Sequence, residues 1–109
     1  MKNDSKKNRL ELIDPKFING IGAVLTFGAE KYKANNWKKA TSLADRERVR
    51  GGMLRHLMAY SSGELTDPET GLHHLYHLSC GAMFLTYHDM HDGENPKQGL
   101  FNFEGEEHD

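Results

Sequence analysis

The stretch DPETGLHHLYHLSC, residues 67–80, decides how this 109-residue chain is read. It opens on Asp67-Pro68, an acidic cap followed by a residue whose fixed φ and missing N–H suit the first turn of a helix. From there Leu72, Leu75, Leu78, Ala82 and Leu85 recur at spacings of three and four, one face of a helix that runs to about His91 and stops at Gly93. This is the longest helix expected. Upstream, Val49, Met53, Leu57 and Tyr60 keep helical spacing over about 46–62, and Gly63 ends that segment. Asp14-Pro15 starts another helix over about 15–33, with Phe17, Ile18, Ile21, Val24, Leu25, Gly28 and Tyr32 on one face. Gly20, Gly22 and Gly28 weaken it, each by about 1 kcal/mol relative to Ala, which close packing against a neighbouring helix would offset.

Residues 33–45, KANNWKKATSLAD, lack periodicity and read as a loop. With no strand pattern and no repeat, the expected fold is all-α, a small bundle of three main helices with terminal arms. Residues 1–109 form a single domain on this reading: a basic arm over 1–13 that docks at its end through Leu10, Leu12 and Ile13, a helical body over 14–92, and an acidic tail over 93–109 anchored by Phe101 and Phe103. A chain of this length holds one modest core. Its hydrophobic content of 37% is low for a small helical monomer, so completion of the core by dimerisation is expected.

The net charge of −2 conceals a split. Residues 1–55 carry thirteen of the fourteen Lys and Arg against six acids, and residues 56–109 carry one base, ten acids and all seven His. That excludes a uniformly basic nucleic-acid binder and suggests two differently charged surfaces. The lone Cys80 sits in an apolar run and reads as a small core residue of a reduced, cytoplasmic protein. No stretch approaches the roughly 18 apolar residues that span a bilayer, so no membrane association is expected.

His74 and His77, three apart on the third helix, present both imidazoles on one face at a spacing that suits one metal. His56, Glu64, Asp67 and Glu69 bring the potential ligands between His56 and His77 to six, and the turn at 63–66 lets them converge. Each has a structural alternative. Asp67 is also a good N-cap, Glu69 suits a helix N-terminus, and His56 can be a hydrogen-bonded half-buried residue. His73 reads as solvated, and His88 and His91 in HDMHD as a solvated helix end, with a second, weak cation site as the alternative. The basic half offers Lys7, Arg9, Lys31, Lys33, Lys38, Lys39 and Arg55 for polyanion oxygens. Trp37, in a polar loop, either plugs the side of the domain or stacks on a planar ligand. Neither a GxxxxGK[ST] nor a GxGxxG motif is present, so phosphate is not held in the P-loop manner.

FGAEKYKANNW at 27–37, LRHLMAYSSGE at 54–64 and DPETGLHHLYHLSC at 67–80 together resemble the successive blocks of the small phage-encoded dATP/dGTP diphosphohydrolases, which are similar to the all-α MazG-like nucleotide pyrophosphatases. KNRLEL at 7–12 resembles that family's basic lead-in. The resemblance implies hydrolysis of a purine deoxynucleoside triphosphate between the α and β phosphates, a divalent metal, and a homodimer or higher homo-oligomer. The EExxE and ExxD carboxylates of MazG-type enzymes are absent, so a metal would take mixed His and carboxylate ligands, which shifts the preference from Mg²⁺ toward Mn²⁺. The site implied has His56, Asp67, His74 and His77 on the metal, with Glu64 as ligand or general base. Lys31 and Arg55, with Lys7 and Arg9, balance phosphate charge, and Asn36 and Trp37 contact the base. Two other readings are a non-catalytic or nucleic-acid-binding helical dimer, with nucleic acid the less expected partner, and a small nucleotide kinase.

Overall fold

A computed structural model describes residues 7–39 and 42–91. The acidic tail, with Gly93, Phe101 and Phe103, lies outside the described residues. The fold is all-α: α1 (Pro15–Lys31), α2 (Leu43–Ser61) and α3 (His74–Met90), with short 3-10 turns at Leu10–Leu12 and Asn36–Lys39. No strand occurs among the described residues, only a single antiparallel bridge between Thr66 and His73.

Local chemistry sets the helix ends. Asp14 accepts from the Lys16 N–H at 3.2 Å and Pro15 follows it, as the first Asp-Pro pair implies. α2 starts before the expected position because Ser42 and Asp45 form a reciprocal capping box: the Asp45 N–H donates to Ser42 Oγ at 3.0 Å and the Ser42 N–H to Asp45 Oδ2 at 3.3 Å. The segment 33–45 is thus less irregular than its sequence suggests.

The second Asp-Pro pair does not start a helix. α3 begins at His74, and its cap is His73, whose Nδ1 accepts from the Leu75 N–H at 3.0 Å. His73 is therefore a half-buried cap rather than a solvated residue. Asp67 instead folds the connecting loop upon itself, since its Oδ1 accepts from the N–H groups of Glu69 at 2.7 Å and Thr70 at 3.2 Å. Gly71, with φ of 74°, takes the left-handed turn that lets the Asp67 N–H reach the Leu72 carbonyl at 2.8 Å and the His74 N–H reach the Leu65 carbonyl at 2.9 Å.

α3 packs against both other helices. Gly20 of α1 faces the Tyr76 ring and Gly81 of α3 faces Met53, each so closely that a Cβ would collide. Gly22 and Gly28 have no such neighbour, so close packing offsets the cost of Gly20 alone among the three α1 glycines. Cys80 is 1% exposed, the one fully buried hydrophobic side chain among the described residues. Burial pushes its thiol up to about 11.

Three other expectations need correction. Leu10 and Leu12 are each 70% exposed and Ile13 is 45% exposed, so these three residues are not buried against the described part of the chain. Ile18 lies half-exposed, and Tyr32 projects outward beyond the end of α1. HDMHD is a solvated end only in part: Met90 and His91 are exposed, whereas His88 is buried, donating from Nε2 to the Trp37 carbonyl at 3.0 Å, and Asp89 pairs with the buried Arg46 at 3.6 Å. A polar bond to a loop carbonyl buries a residue that periodicity alone leaves ambiguous.

Candidate functional site

The loop between α2 and α3 turns the chain back so that the last turns of α2 face the start of α3. His56 Nδ1 lies 2.9 Å from His74 Nδ1 and 3.8 Å from Asp67 Oδ2. Those groups can each offer one ligand atom, all within 4.8 Å of one another. Behind them, His74 Nε2 lies 2.7 Å from Glu64 Oε1. A carboxylate only accepts, so the Nε2–H of His74 donates to Glu64, and Nδ1 of the same ring faces His56.

This donor set fits a divalent cation. Two imidazole nitrogens about 2.1 Å from one ion and at right angles stand roughly 3 Å apart, close to the His56–His74 separation. The carboxylate on the far nitrogen of His74 is the usual outer partner of a metal-ligating His. Burial, with the charge of His77 next, lowers the His56 pKa, and burial also lowers that of His77, so both imidazoles are kept neutral. Burial alone would raise the Asp67 carboxyl, but the Glu69 and Thr70 N–H groups and the nearby His outweigh it and hold the pKa below the usual value.

His77 stands apart from that group of three. Its ring stacks on His56 at 4.6 Å and 5° between planes, and its Nε2 is 2.8 Å from Thr70 Oγ1, which also accepts from the Leu72 N–H at 3.1 Å. Thr70, missed by sequence reasoning, thus orients His77 through the loop backbone. Only its place between the Asp-Pro pair and the His run could have pointed to it.

A cavity of about 630 Å³ opens beside the cluster. His56, Asp67, Glu69, Thr70 and His77 line one side of it, Val24, Leu25, Phe27 and Phe84 supply apolar wall, and Lys31, Lys33 and Lys38 bring positive charge. Lys31 Nζ lies 3.2 Å from Glu69 Oε2, and this bond leads the causes that raise the lysine pKa. Asn36 and Trp37 also line the cavity, as does Asn35, whose φ of 62° is one that Asn tolerates better than most residues. Phe84 stacks on Trp37 at 4.5 Å, so the tryptophan plugs the domain's side as well as walling the cavity. His74 and Glu64 are not among its lining residues, nor are Arg55, Lys7 and Arg9. Arg55 lies back along α2 near Gly51 and Gly52, and Arg9 bonds Glu11 at 2.8 Å.

The all-α domain thus sets a His and carboxylate cluster, with the donor set of a cation site, beside a cavity rimmed by lysines. Comparison with known proteins narrows this. Residues 1–98 match the family described as "dATP/dGTP diphosphohydrolase, N-terminal", and the chain belongs to that family. A relative from Salmonella phage PMBT28, named dATP/dGTP diphosphohydrolase, is 36% identical over 85 residues, which cover 78% of this chain and 28% of that protein. The chain thus spans little more than a quarter of that curated relative's length. No solved structure matches it.

Proposed function

We propose that this domain hydrolyses purine deoxynucleoside triphosphates, dATP or dGTP, to the monophosphate and pyrophosphate in a metal-dependent reaction that acts on the nucleotide pool during phage infection. The observation that carries this reading is the juxtaposition of the His56, Asp67 and His74 cluster with a cavity that also holds Lys31, Lys33 and Lys38. The family name and the relative's name supply the substrate class. A divalent cation, Mn²⁺ or Mg²⁺, supplies Lewis-acid activation and charge neutralisation at the phosphates when bound.

The protein's own groups then have distinct tasks. His56, Asp67 and His74 hold the cation, and Glu64 fixes the His74 ring by accepting its Nε2 proton. Lys31, Lys33 and Lys38, which line the same cavity, neutralise triphosphate charge, with Lys31 exchanging Glu69 for phosphate oxygens. The apolar wall excludes water from the nucleoside. A homodimer is part of the proposal, because Leu54, Leu57 and Met58 of α2 are exposed at helical spacing and the described residues bury so little hydrophobic side chain.

Incubating dATP and dGTP with the protein and either metal, and identifying the products, tests the reading. Monophosphate with pyrophosphate is expected. Diphosphate would favour phosphoryl transfer, and unchanged nucleotide would favour a non-catalytic binding protein.

A further inference from the structure

A nucleobase needs a flat apolar surface to stack on, and most aromatic rings at the cavity are already occupied. Trp37 is stacked by Phe84 at 4.5 Å, met edge-on by Tyr87 at 5.0 Å and His88 at 6.0 Å, and overlain by Lys38 Nζ at 5.5 Å. His56 and His77 stack on each other. Two cavity rings meet no other aromatic ring among the described residues, and of these Phe27 is half-buried in the wall, whereas Tyr32 is 66% exposed. Its backbone is nonetheless fixed, because its N–H donates to the Gly28 carbonyl at 2.8 Å to close α1. A held backbone with a ring that meets the flexible Lys31 Nζ but no other ring suits a stacking platform, since the lysine can move aside when a flat ligand arrives.

We propose that Tyr32, rather than Trp37, is the surface on which the nucleobase stacks. The proposal rests on the nucleotide reading above and refines it. The neighbouring Lys31 supports it: Nζ lies 5.4 Å from the Tyr32 ring centroid and 3.2 Å from Glu69, so a base on Tyr32 brings its phosphates within reach of a lysine that turns toward the carboxylate side of the cavity. Base–aromatic stacking tolerates any base, so Tyr32 supplies affinity for the nucleoside and leaves discrimination between bases to polar neighbours such as Asn35 and Asn36.

Calorimetric titration of the whole chain with the α,β-methylene analogue of dATP and with inorganic tripolyphosphate separates base from phosphate binding. Tyr32→Ala is expected to weaken the analogue about tenfold or more, within the range seen when stacking aromatics are removed, and to leave tripolyphosphate affinity unchanged. Tyr32→Phe, which keeps the ring, is expected to bind the analogue like the parent chain. Unchanged analogue affinity in Tyr32→Ala, or equal loss for both ligands, overturns the role of Tyr32 alone. Failure of the parent chain to bind either ligand overturns the nucleotide reading and this proposal with it.

Discussion

His56 Nδ1 and His74 Nδ1 face each other across 2.9 Å, one from α2 and the other from the first residue of α3. With His74 Nε2 committed to Glu64, this contact needs either a proton or a cation between the two rings, and Asp67 Oδ2 stands 3.8 Å from His56 Nδ1 to share a positive charge. His74→Ala should therefore reduce Mn²⁺ affinity by about a hundredfold or more. Glu64→Gln, which keeps the shape and removes the outer carboxylate, should cost roughly 10- to 100-fold. Mn²⁺ titration followed by electron paramagnetic resonance checks both, and unaltered affinity in His74→Ala would remove His74 from the ligand set.

Sequence periodicity located all three helices, because helix faces are written in spacings of three and four. It misjudged where α3 begins. Asp67-Pro68 has the chemistry of a helix start, yet the Asp67 carboxylate satisfies N–H groups at Glu69 and Thr70 within a loop, and the true cap is an imidazole, which seldom signals one. The same limit applies to the site. Loop residues such as Asp67 and Thr70 have positions set by backbone hydrogen bonds that no periodicity encodes, and the burial of His88 depends on a carbonyl 51 residues away.

The pH dependence of the metal-free protein follows from the same groups. The folded chain resists protonating His56 and His77, whose pKa values lie below the ordinary 6.5, whereas the unfolded chain takes up those protons near 6.5. Stability is thus full above about pH 6.5 and falls as the pH drops through the folded values. Asp67, with its pKa below the ordinary 3.8, adds stability that is present above that value and is lost on further acidification. Urea midpoints measured in chelator should hold from pH 7.5 to about 6.5 and decline below it, and a His56→Gln/His77→Gln double variant should flatten that decline. A midpoint that rises between pH 7.5 and 5.5 would contradict this.

Cys80 should be chemically silent. With its pKa pushed from 9.0 to about 11, the thiolate fraction near pH 8 is about a hundredfold lower than for an ordinary thiol, and only 1% of the residue is exposed. Native protein should react with a thiol reagent at least a hundredfold more slowly than urea-unfolded protein. Equal rates would mean that the α1–α3 contact opens readily.

At the contact between Gly81 and Met53, α2 and α3 leave no room for a Cβ. A Cβ at position 81 would collide with the Met53 side chain, yet the helical backbone there accepts Ala without strain. Two effects therefore compete: Ala gains up to about 1 kcal/mol of helix propensity, while overpacking costs typically 1–3 kcal/mol. Because Met53 is flexible, part of the collision can be relieved by rotating its thioether, so the net loss for Gly81→Ala should be near 1 kcal/mol. Pairing it with Met53→Ala, which removes the colliding atoms, should make Gly81→Ala neutral or stabilising in that background. A denaturation double-mutant cycle measures the coupling directly, and additive effects within about 0.3 kcal/mol would show that Met53 is not what keeps glycine at position 81.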